Sequence, residues 1–483
     1  MMLVVVPLLP LAAALVSPIR GGRRLAQTAT LAAATTTFVL AVVLAARVVR
    51  DSRVVAIPGW VELDGLSALV LLLVTFVAAT AALFSWGYLD AHETPADRVR
   101  LYGLHFNLFV FALVLVPVLG EPALVWIAIE FTAVFSVLLV AFDNTHEALE
   151  AAWKYIALMF MGAAVALLGF FILFWAQQQA GGGHYSWDGL RAVAAAMPPR
   201  VVMAGFLLVL VGFGVKSGFV PLHTWLPDAH SQAPSPVCAL LSGVKTMCAL
   251  YAILRLVPLF PLGRVHAWMQ AIGLVSIGTA AFLLLQVRDY KRMFAYSTVE
   301  HMGIILATVG LGGPAAAEAA VLQMLGHALT KSFCFFAAGV ALLVLGTRDI
   351  ARARGLLRRS PAAGVALLVG ALAIGGAPPF VLFVSEFTIV RTGLTSHHYL
   401  FTALLVIFVT VAFFGILLHV NRIVFGPPAA SPTDAAHHRL PVSCWLTLAV
   451  AVTPVLVLGV YQPAALQRLV TLAGAALLPL PRP

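Results

Sequence analysis

Long apolar runs separated by short polar segments recur along the whole chain. A helix needs about 20 apolar residues to cross the hydrocarbon core of a bilayer. The pattern therefore predicts an all-α membrane protein with about fourteen transmembrane helices. The predicted spans lie near residues 2–18, 25–47, 64–87, 101–119, 121–142, 153–176, 201–220, 234–257, 265–287, 294–311, 315–346, 362–384, 399–425 and 441–461.

Prolines should break the helix immediately after one of these spans and within another. Pro221 follows Lys216 by five residues, and Pro378 and Pro379 interrupt the span that leads to Glu386. Proline removes a backbone donor and clashes with the preceding turn. Broken helices at membrane depth occur where the freed backbone is buried in protein or lines water, as at the ion sites of transporters. Both breaks are therefore predicted to mark an ion path.

The positions of the two breaks also predict an internal repeat. An ionisable residue lies in a span upstream of each break, Glu130 for the first break and His301 for the second. The number of helices between that span and the break is similar in the two cases. This arrangement favours two five-helix repeats, and an odd number of helices per repeat makes the second copy inverted. The predicted domains are N-terminal helices 1 to 3 at 1–100, the first repeat at 101–257, the second repeat at 265–425, and a C-terminal helix and tail at 426–483.

Composition and charge agree with a membrane protein. Hydrophobic residues make up 62% of the 483 residues and charged residues 10%, with a mean hydropathy of +1.01, whereas a soluble domain carries about 25% charged residues. Loops after odd-numbered spans hold sixteen Lys and Arg residues and the others hold eight. Because basic residues accumulate in cytoplasmic loops, both termini are predicted to lie outside. The net charge of +10 follows from this bias, and no nucleic-acid partner is indicated.

No cofactor or metal site is predicted in this chain. The cysteines Cys238, Cys248, Cys334 and Cys444 lie in apolar segments without a paired spacing, so they are interpreted as small buried hydrophobic residues. The segment GFGVKSG lacks both the spacing of a nucleotide-binding loop and a preceding strand. Redox or nucleotide chemistry, if the protein takes part in any, is expected in a partner.

A buried ion pair is predicted between the first break and an upstream span. Lys216 lies in an apolar run, where a lysine costs at least ~2.5–3.5 kcal/mol unless it faces protein or a wet cavity. Glu130 lies nine residues into its own span, about 13 Å deep, and is the natural partner. Lys245 is a second lysine at similar depth. The alternative for Glu130 is a carboxylate that only braces neighbouring helices.

Further ionisable residues lie in the second predicted repeat. His301 is next to Glu300, His327 and Lys331 lie one turn apart on one helix face, and Glu386 follows the second break. Each also has a structural alternative. His301 could be a satisfied buried histidine, Lys331 the counter-ion of a neighbour, and Glu386 the cap of a half-helix.

Four segments carry a resemblance to a known family. They are GVKSGFVPLHTWLPDAHSQAPSPVCALLSGVKT at 214–246, YKRMFAYSTVEHMG at 290–303, HALTKSFCFFAAG at 327–339 and EAAWKYI at 150–156. Over about residues 101–426 the chain resembles the antiporter-like proton-pumping subunits of respiratory complex I, multisubunit cation/proton antiporters and membrane-bound hydrogenases. GGAPPFVLFVSEF and the overall length favour the F-type membrane subunit of group-four, formate-hydrogenlyase-like hydrogenases.

The resemblance implies roles for individual residues on a proton path. The residues it implicates are Glu130 and Lys216 as the family's glutamate–lysine pair, Lys245 as its central lysine, His301 and His327 as bridging histidines, and Glu386 as the terminal site. Lys331 is included in the path, and Asp228 and His230 are candidates for an entry loop. Protons would enter from the cytoplasmic side and leave past Glu386.

The resemblance also implies partners and a location. The expected partners are other antiporter-like membrane subunits and a hydrophilic redox module, and iron–sulfur clusters and a NiFe centre or flavin would lie only in those partners. Membrane lipids, protons and, as an open alternative, Na⁺ are the other expected contacts, in the cytoplasmic (inner) membrane of a bacterium or archaeon. The predicted function is a non-catalytic, proton-translocating subunit of an oxidoreductase complex, either a hydrogenase or a quinone-reducing complex. Two alternatives remain: a subunit of a multisubunit Na⁺(K⁺)/H⁺ antiporter, and a non-conducting membrane anchor.

Overall fold

The computed structural model describes residues 1–19, 22–261, 263–427 and 440–479. Parts of the predicted C-terminal region at 426–483, and the loop residues Arg20 and Arg439, lie outside the described residues. The helices are α1 (Met2–Val16), α2 (Arg23–Asp51), α3 (Gly65–Ala91), α4 (Ala96–Val118), α5 (Pro122–Val140), α6 (His146–Gln179), α7 (Trp187–Ala192), α8 (Pro199–Ser217), α9 (Trp225–Gln232), α10 (Ser235–Leu240), α11 (Thr246–Leu254), α12 (Arg264–Leu284), α13 (Tyr290–Val309), α14 (Gly313–Leu345), α15 (Leu356–Arg359), α16 (Pro361–Ile374), α17 (Val381–Thr395), α18 (Tyr399–Phe425), α19 (Val442–Val460) and α20 (Ala464–Ala475).

The described helices confirm a helical protein with many membrane-spanning segments. Eleven helical stretches are long and apolar enough to cross a bilayer, and α1 and α16 are shorter apolar helices. Helix α13 coincides with the predicted span at 294–311 but is not among the eleven. It carries Lys291, Arg292 and Glu300, which lower its hydropathy. The count of about fourteen spans, and the inverted repeats, therefore remain predictions.

The second predicted broken span extends further than its apolar pattern. Helix α16 ends at Ile374, Pro378 and Pro379 lie in the interruption, and α17 then runs to Thr395. The predicted span stopped at residue 384, because Ser385 and Glu386 end the apolar run there. Packing of α17 against α14, α18 and α19 keeps the chain helical past those polar residues.

A short β-hairpin joins α2 to α3 and was not predicted. Strands β1 (Val54–Ile57) and β2 (Val61–Leu63) pair antiparallel, and Asp64 then caps α3 by accepting a hydrogen bond from the Ser67 amide. We call this side of the bundle the Asp64 end. Helix α20 packs across it, with Leu472 against Gly65 at the start of α3 and Arg468 donating to the Val49 carbonyl of α2.

Burial separates central from peripheral helices. The stretch Ser235–Leu259, which contains α10 and α11, is entirely buried, and most of α14 and α3 is buried too. In contrast, only about a third of the residues in the apolar parts of α2, α18 and α19 are buried, as expected for helices that face lipid. The helices with Lys245, His327 and Lys331 are therefore those with the least access to lipid.

Candidate functional site

Lys216 and Glu130 form an ion pair inside the bundle. Nζ of Lys216 on α8 lies 2.7 Å from Oε1 of Glu130 on α5. The lysine side chain is fully buried, and the glutamate side chain is 12% exposed. Apart from this contact, no described residue forms a hydrogen bond with the Lys216 ammonium or the Glu130 carboxylate, so each charge is balanced by the other.

The chain turns away from α8 immediately after this lysine. Gly218 has a left-handed φ of 83°, which ends the helix one residue after Ser217. Protein groups satisfy the backbone freed by the break, because Trp225 Nε1 donates to the Val215 carbonyl at 2.8 Å and the Val220 amide donates to Ser276 Oγ at 3.1 Å. The interruption that Pro221 predicted is therefore present and lies against protein at these groups.

Lys245 ends a single π-helical turn between α10 and α11, Leu241–Lys245. Its Nζ lies 3.0 Å from Met159 Sδ, 4.3 Å from the centre of the Trp225 ring and 4.9 Å from that of Tyr155. Within the described ranges, no carboxylate oxygen comes within 4.0 Å of this ammonium. Aromatic faces and a thioether therefore surround Lys245 where Lys216 has a carboxylate.

Two histidines connect the π turn to the second break. His327 Nε2 lies 3.2 Å from the Ser242 carbonyl in the π turn, and its ring centre is 5.5 Å from that of His301. His301 Nε2 lies 3.0 Å from the carbonyl of Ile374, the last residue of α16. A carbonyl only accepts, so both histidines carry a proton on Nε2 when neutral. The histidines thus link two of the places where helices lose their regular hydrogen bonding, the π turn and the second break.

Glu386 lies at the far side of His301. Its Oε1 is 3.9 Å from His301 Nδ1, the same nitrogen that accepts a hydrogen bond from Gln323 Nε2 at 3.0 Å. Ser385 donates to the Gln323 oxygen and so fixes the orientation of that amide. The Glu386 carboxylate also packs against Gly376 in the break, where a Cβ would overlap Oε2. Glycine at 376 therefore makes room for the acid.

Lys331 is held by neutral groups. Its Nζ donates to the Phe294 carbonyl at 2.6 Å and to Ser297 Oγ, both on α13. The side chain is fully buried, and no carboxylate oxygen of a described residue lies within 4.0 Å. The alternative that Lys331 is the direct counter-ion of a neighbouring acid therefore lacks a contact in the described part of the chain.

Asp228 and His230 lie on helix α9 and not in a loop, which corrects the predicted entry loop. Pro227 is the third residue of α9, where a missing amide costs nothing because first-turn amides have no partner in the helix. Asp228 is partly exposed and pairs with Arg292 at 2.8 Å. His230 is fully buried, with Nδ1 2.7 Å from the Leu226 carbonyl. The two residues therefore have different surroundings.

Glu300 was noted in the sequence only as a neighbour of His301, yet its burial matches that of the candidates. It is 3% exposed, and no described residue forms a hydrogen bond or ion pair with it. The sequence could have identified Glu300 by the same signal as Glu130, an acidic residue within an apolar span. We call Glu130, Lys216, Lys245, His327, His301 and Glu386 the buried row, and Glu300 and Lys331 its flanking charges.

The fold and the buried row define a class of multi-span membrane proteins with ionisable residues enclosed between broken helices. Residues 121–414 match the family model described as NADH:quinone oxidoreductase/Mrp antiporter, TM, and residues 55–98 match the model of the complex I chain 5 N-terminus. The chain belongs to this family of antiporter-like membrane subunits. The resemblance expected from the sequence is confirmed.

Curated relatives include hydrogenase components. The chain is 36% identical over 413 residues to the hydrogenase-4 component F homolog of Methylacidiphilum infernorum (isolate V4), covering 83% of this chain and 85% of the relative. It is 30% identical over 341 residues to hydrogenase-4 component B of Escherichia coli (strain K12), covering 67% of this chain but only 49% of that protein.

Two solved structures share the fold over nearly the whole chain. One is a chain of the membrane-bound sulfane sulfur reductase, an archaeal respiratory membrane complex, with a TM-score of 0.86, 25% identity, and coverage of 99% of this chain and 98% of that chain. The other belongs to the Mrp complex from Dietzia sp. DQ12-45-1b, with a TM-score of 0.87, 22% identity, and coverage of 99% and 96%. Both come from multisubunit membrane complexes, so the chain is an antiporter-like subunit whose relatives have other membrane subunits as partners.

Proposed function

We propose that this chain is a proton-translocating membrane subunit of a multisubunit redox complex. The observation that carries the proposal is the pair of histidines, His327 and His301, which contact backbone carbonyls at the π turn and at the second helix break. They join the Glu130–Lys216 pair and Lys245 on one side to Glu386 on the other. Ionisable residues inside a membrane protein mark ion pathways by default.

In this proposal the ion pair acts as a switch. A carboxylate favours the charged form of a neighbouring lysine, and burial disfavours it. When Glu130 moves away or is screened, Lys216 releases its proton toward Lys245, whose ammonium contacts two aromatic rings and a thioether. The proton then passes by bridging water to His327 and His301 and leaves past Glu386. Glu300 and Lys331 influence the protonation of His327, His301 and Glu386 through their own charge.

Partner subunits supply the energy. Moving one charge against 100 mV requires about 2.3 kcal/mol, so an exergonic reaction must drive the cycle. We propose that a hydrophilic module with iron–sulfur clusters and a NiFe centre or flavin performs that reaction. The identity of 36% to a hydrogenase-4 component F homolog supports the redox assignment over the 27% to Na⁺/H⁺ antiporter subunit A1 of Staphylococcus aureus.

The membrane arrangement belongs to the same proposal. We propose fourteen spans, two inverted five-helix repeats, and both termini on the outer side of the cytoplasmic membrane. By this arrangement the Asp64 end faces outward and α9 faces the cytoplasm. Accessibility of single cysteines introduced at the tip of the β-hairpin and next to Asp228 would test the assignment.

Replacing Lys216 by alanine in the intact complex tests the function. The complex is reconstituted in vesicles and driven by its electron donor, and proton uptake is followed by a pH-sensitive dye. We expect electron transfer to continue and proton translocation to fall to background. Arg47→Ala is the control, because Arg47 is an exposed basic residue of α2 that forms no ion pair among the described residues. Full translocation by an assembled Lys216→Ala complex would refute the switch.

Cation/proton exchange is the second candidate. Its support is the fold shared with the Mrp complex, at a TM-score of 0.87. It predicts Na⁺- or K⁺-dependent pH changes in vesicles without any electron donor. If these changes occur and vanish in Lys216→Ala, the exchange function replaces the redox-driven one.

A further inference from the structure

A polar cavity lies at the Asp64 end, away from the buried row. It has a volume of about 220 Å³ and is bounded by the β-hairpin, the start of α3, helix α7, the end of α11 and helix α20. Among the described residues, three arginines and three acids line it, so the formal charge of this lining is zero. They are Arg53, Arg191, Arg255, Glu62, Asp64 and Asp188.

The charges in this cavity are unevenly matched. Arg255, which is 4% exposed, binds both oxygens of Asp64. Arg53 is shared by two acids, since it contacts Glu62 and lies 2.6 Å from Asp188 Oδ2. One carboxylate charge is therefore left over on the side of the β-hairpin.

One arginine is left over on the other side. Arg191 donates to the Ala476 carbonyl of α20, and no carboxylate oxygen of a described residue lies within 4.0 Å of its guanidinium nitrogens. Burial lowers the pKa of this guanidinium from its ordinary value, so its charge is held there at a cost. A bound anionic group would offset that cost.

The buried polar groups of the cavity lining that lack a hydrogen-bond partner are all of one chemical type. Trp187 Nε1, Arg191 Nε and Arg255 Nε are buried and have no hydrogen-bond partner in the described structure. All three are N–H donors, and Trp187 is itself 3% exposed. Buried donors are normally paired, so their number in one cavity indicates a missing acceptor.

We propose that this cavity binds a zwitterionic phosphate headgroup of the phosphoethanolamine type, with the phosphate toward Arg191 and Trp187 and the ammonium toward Asp188 and Glu62. A simple anion would match only the unpaired donors, and a cation only the leftover carboxylate. The site lies where α20 crosses the ends of α2 and α3. By the membrane arrangement proposed above, the ends of these spans lie at the outer surface of the bilayer, where lipid headgroups are found. The proposal is independent of proton translocation.

Native mass spectrometry of the delipidated complex would test the site with three probes: phosphatidylethanolamine, phosphatidylglycerol and soluble glycerophosphoethanolamine. We expect the complex to prefer phosphatidylethanolamine, and Arg191→Gln to weaken its binding by roughly tenfold or more, as for loss of a charged hydrogen bond. Arg200→Gln is the matched control, because Arg200 does not line the cavity. Binding of glycerophosphoethanolamine would show that the site takes the headgroup without acyl chains. If phosphatidylethanolamine binds and glycerophosphoethanolamine does not, the ligand is a membrane lipid.

A second variant keeps the test informative if Arg191→Gln fails to assemble. Asp188→Asn removes the proposed ammonium partner on the half-exposed helix α7, and we expect it to weaken phosphatidylethanolamine but not phosphatidylglycerol. Equal binding of the two lipids by the unaltered complex would overturn the zwitterionic assignment. Retention of phosphatidylethanolamine unchanged in both variants would overturn the site, leaving a cavity filled by water only.

Discussion

The buried row holds its charges in two different ways. In its first part Lys216 and Glu130 touch at 2.7 Å as opposite charges. In its second part, Oε1 of Glu386 lies 3.9 Å from Nδ1 of His301. That nitrogen accepts a hydrogen bond from Gln323 instead. Removing one partner of a direct ion pair leaves the other charge uncompensated. In the second part, displacing one side chain breaks the series of contacts through which a proton would pass. The two parts should therefore respond differently to substitution.

The largest effect is expected from breaking the direct pair. Removing one member of a buried pair leaves an uncompensated charge and costs about 3–5 kcal/mol. We expect Glu130→Gln to lower the unfolding temperature of the purified complex markedly, and Glu130→Gln combined with Lys216→Met to restore part of the loss. Glu121→Gln, at the start of the same helix, is the control. A double variant as unstable as the sum of the single variants would show that the two residues do not act as a pair.

The next largest effect is expected at the junction of the two parts. His327→Ala removes the side chain between the π turn and His301, and loss of a positioned proton carrier slows transfer by roughly a hundredfold or more. We expect proton translocation to be lost while assembly is kept. His266→Ala removes a buried histidine of α12 outside the buried row and should translocate normally. Equal translocation by the two variants would show that the path avoids His327.

Displacing the Glu386 carboxylate should have a smaller effect on stability than breaking the ion pair. It should slow proton translocation selectively. Gly376→Ala puts a Cβ onto the Glu386 carboxylate at a φ of 72°. Gly346→Ala has nearly the same φ, 66°, with open space around it, so both variants carry the left-handed strain of ~1–2 kcal/mol. We expect only Gly376→Ala to slow proton uptake into the vesicles, because Glu386 is the proposed exit group. Equal rates would remove Glu386 from the path.

The smallest effect is expected at the surface. Asp228 is 24% exposed and pairs with Arg292 at 2.8 Å and with Lys154 at 3.5 Å, and such exposed pairs contribute about 0–1 kcal/mol each. We expect Asp228→Asn to lower the unfolding temperature slightly at low salt and not at 1 M salt, where screening is nearly complete. Asp97→Asn is the control for a surface pair elsewhere. A large loss of translocation in Asp228→Asn alone would instead make α9 a proton entry.

The sequence determined which residues are unusual. Charges are rare in apolar runs, so Glu130, Lys216 and Lys245 stood out without any structure, and prolines after Lys216 and before Glu386 predicted where helices break. The length of the apolar runs also determined the helical membrane class, because a run of about 20 apolar residues is long enough to cross a bilayer as a helix. These signals are local in the chain.

Only the tertiary structure decided what those residues touch. The Ser242 carbonyl became a partner for His327 because of a π turn, and Gly376 makes room for Glu386 from across a break, neither of which a residue pattern encodes. Glu300 gained its significance from burial among other helices. The cavity at the Asp64 end combines residues from positions 52 to 476. Contacts between distant segments depend on how helices pack, and packing is a property of the whole bundle rather than of any one run.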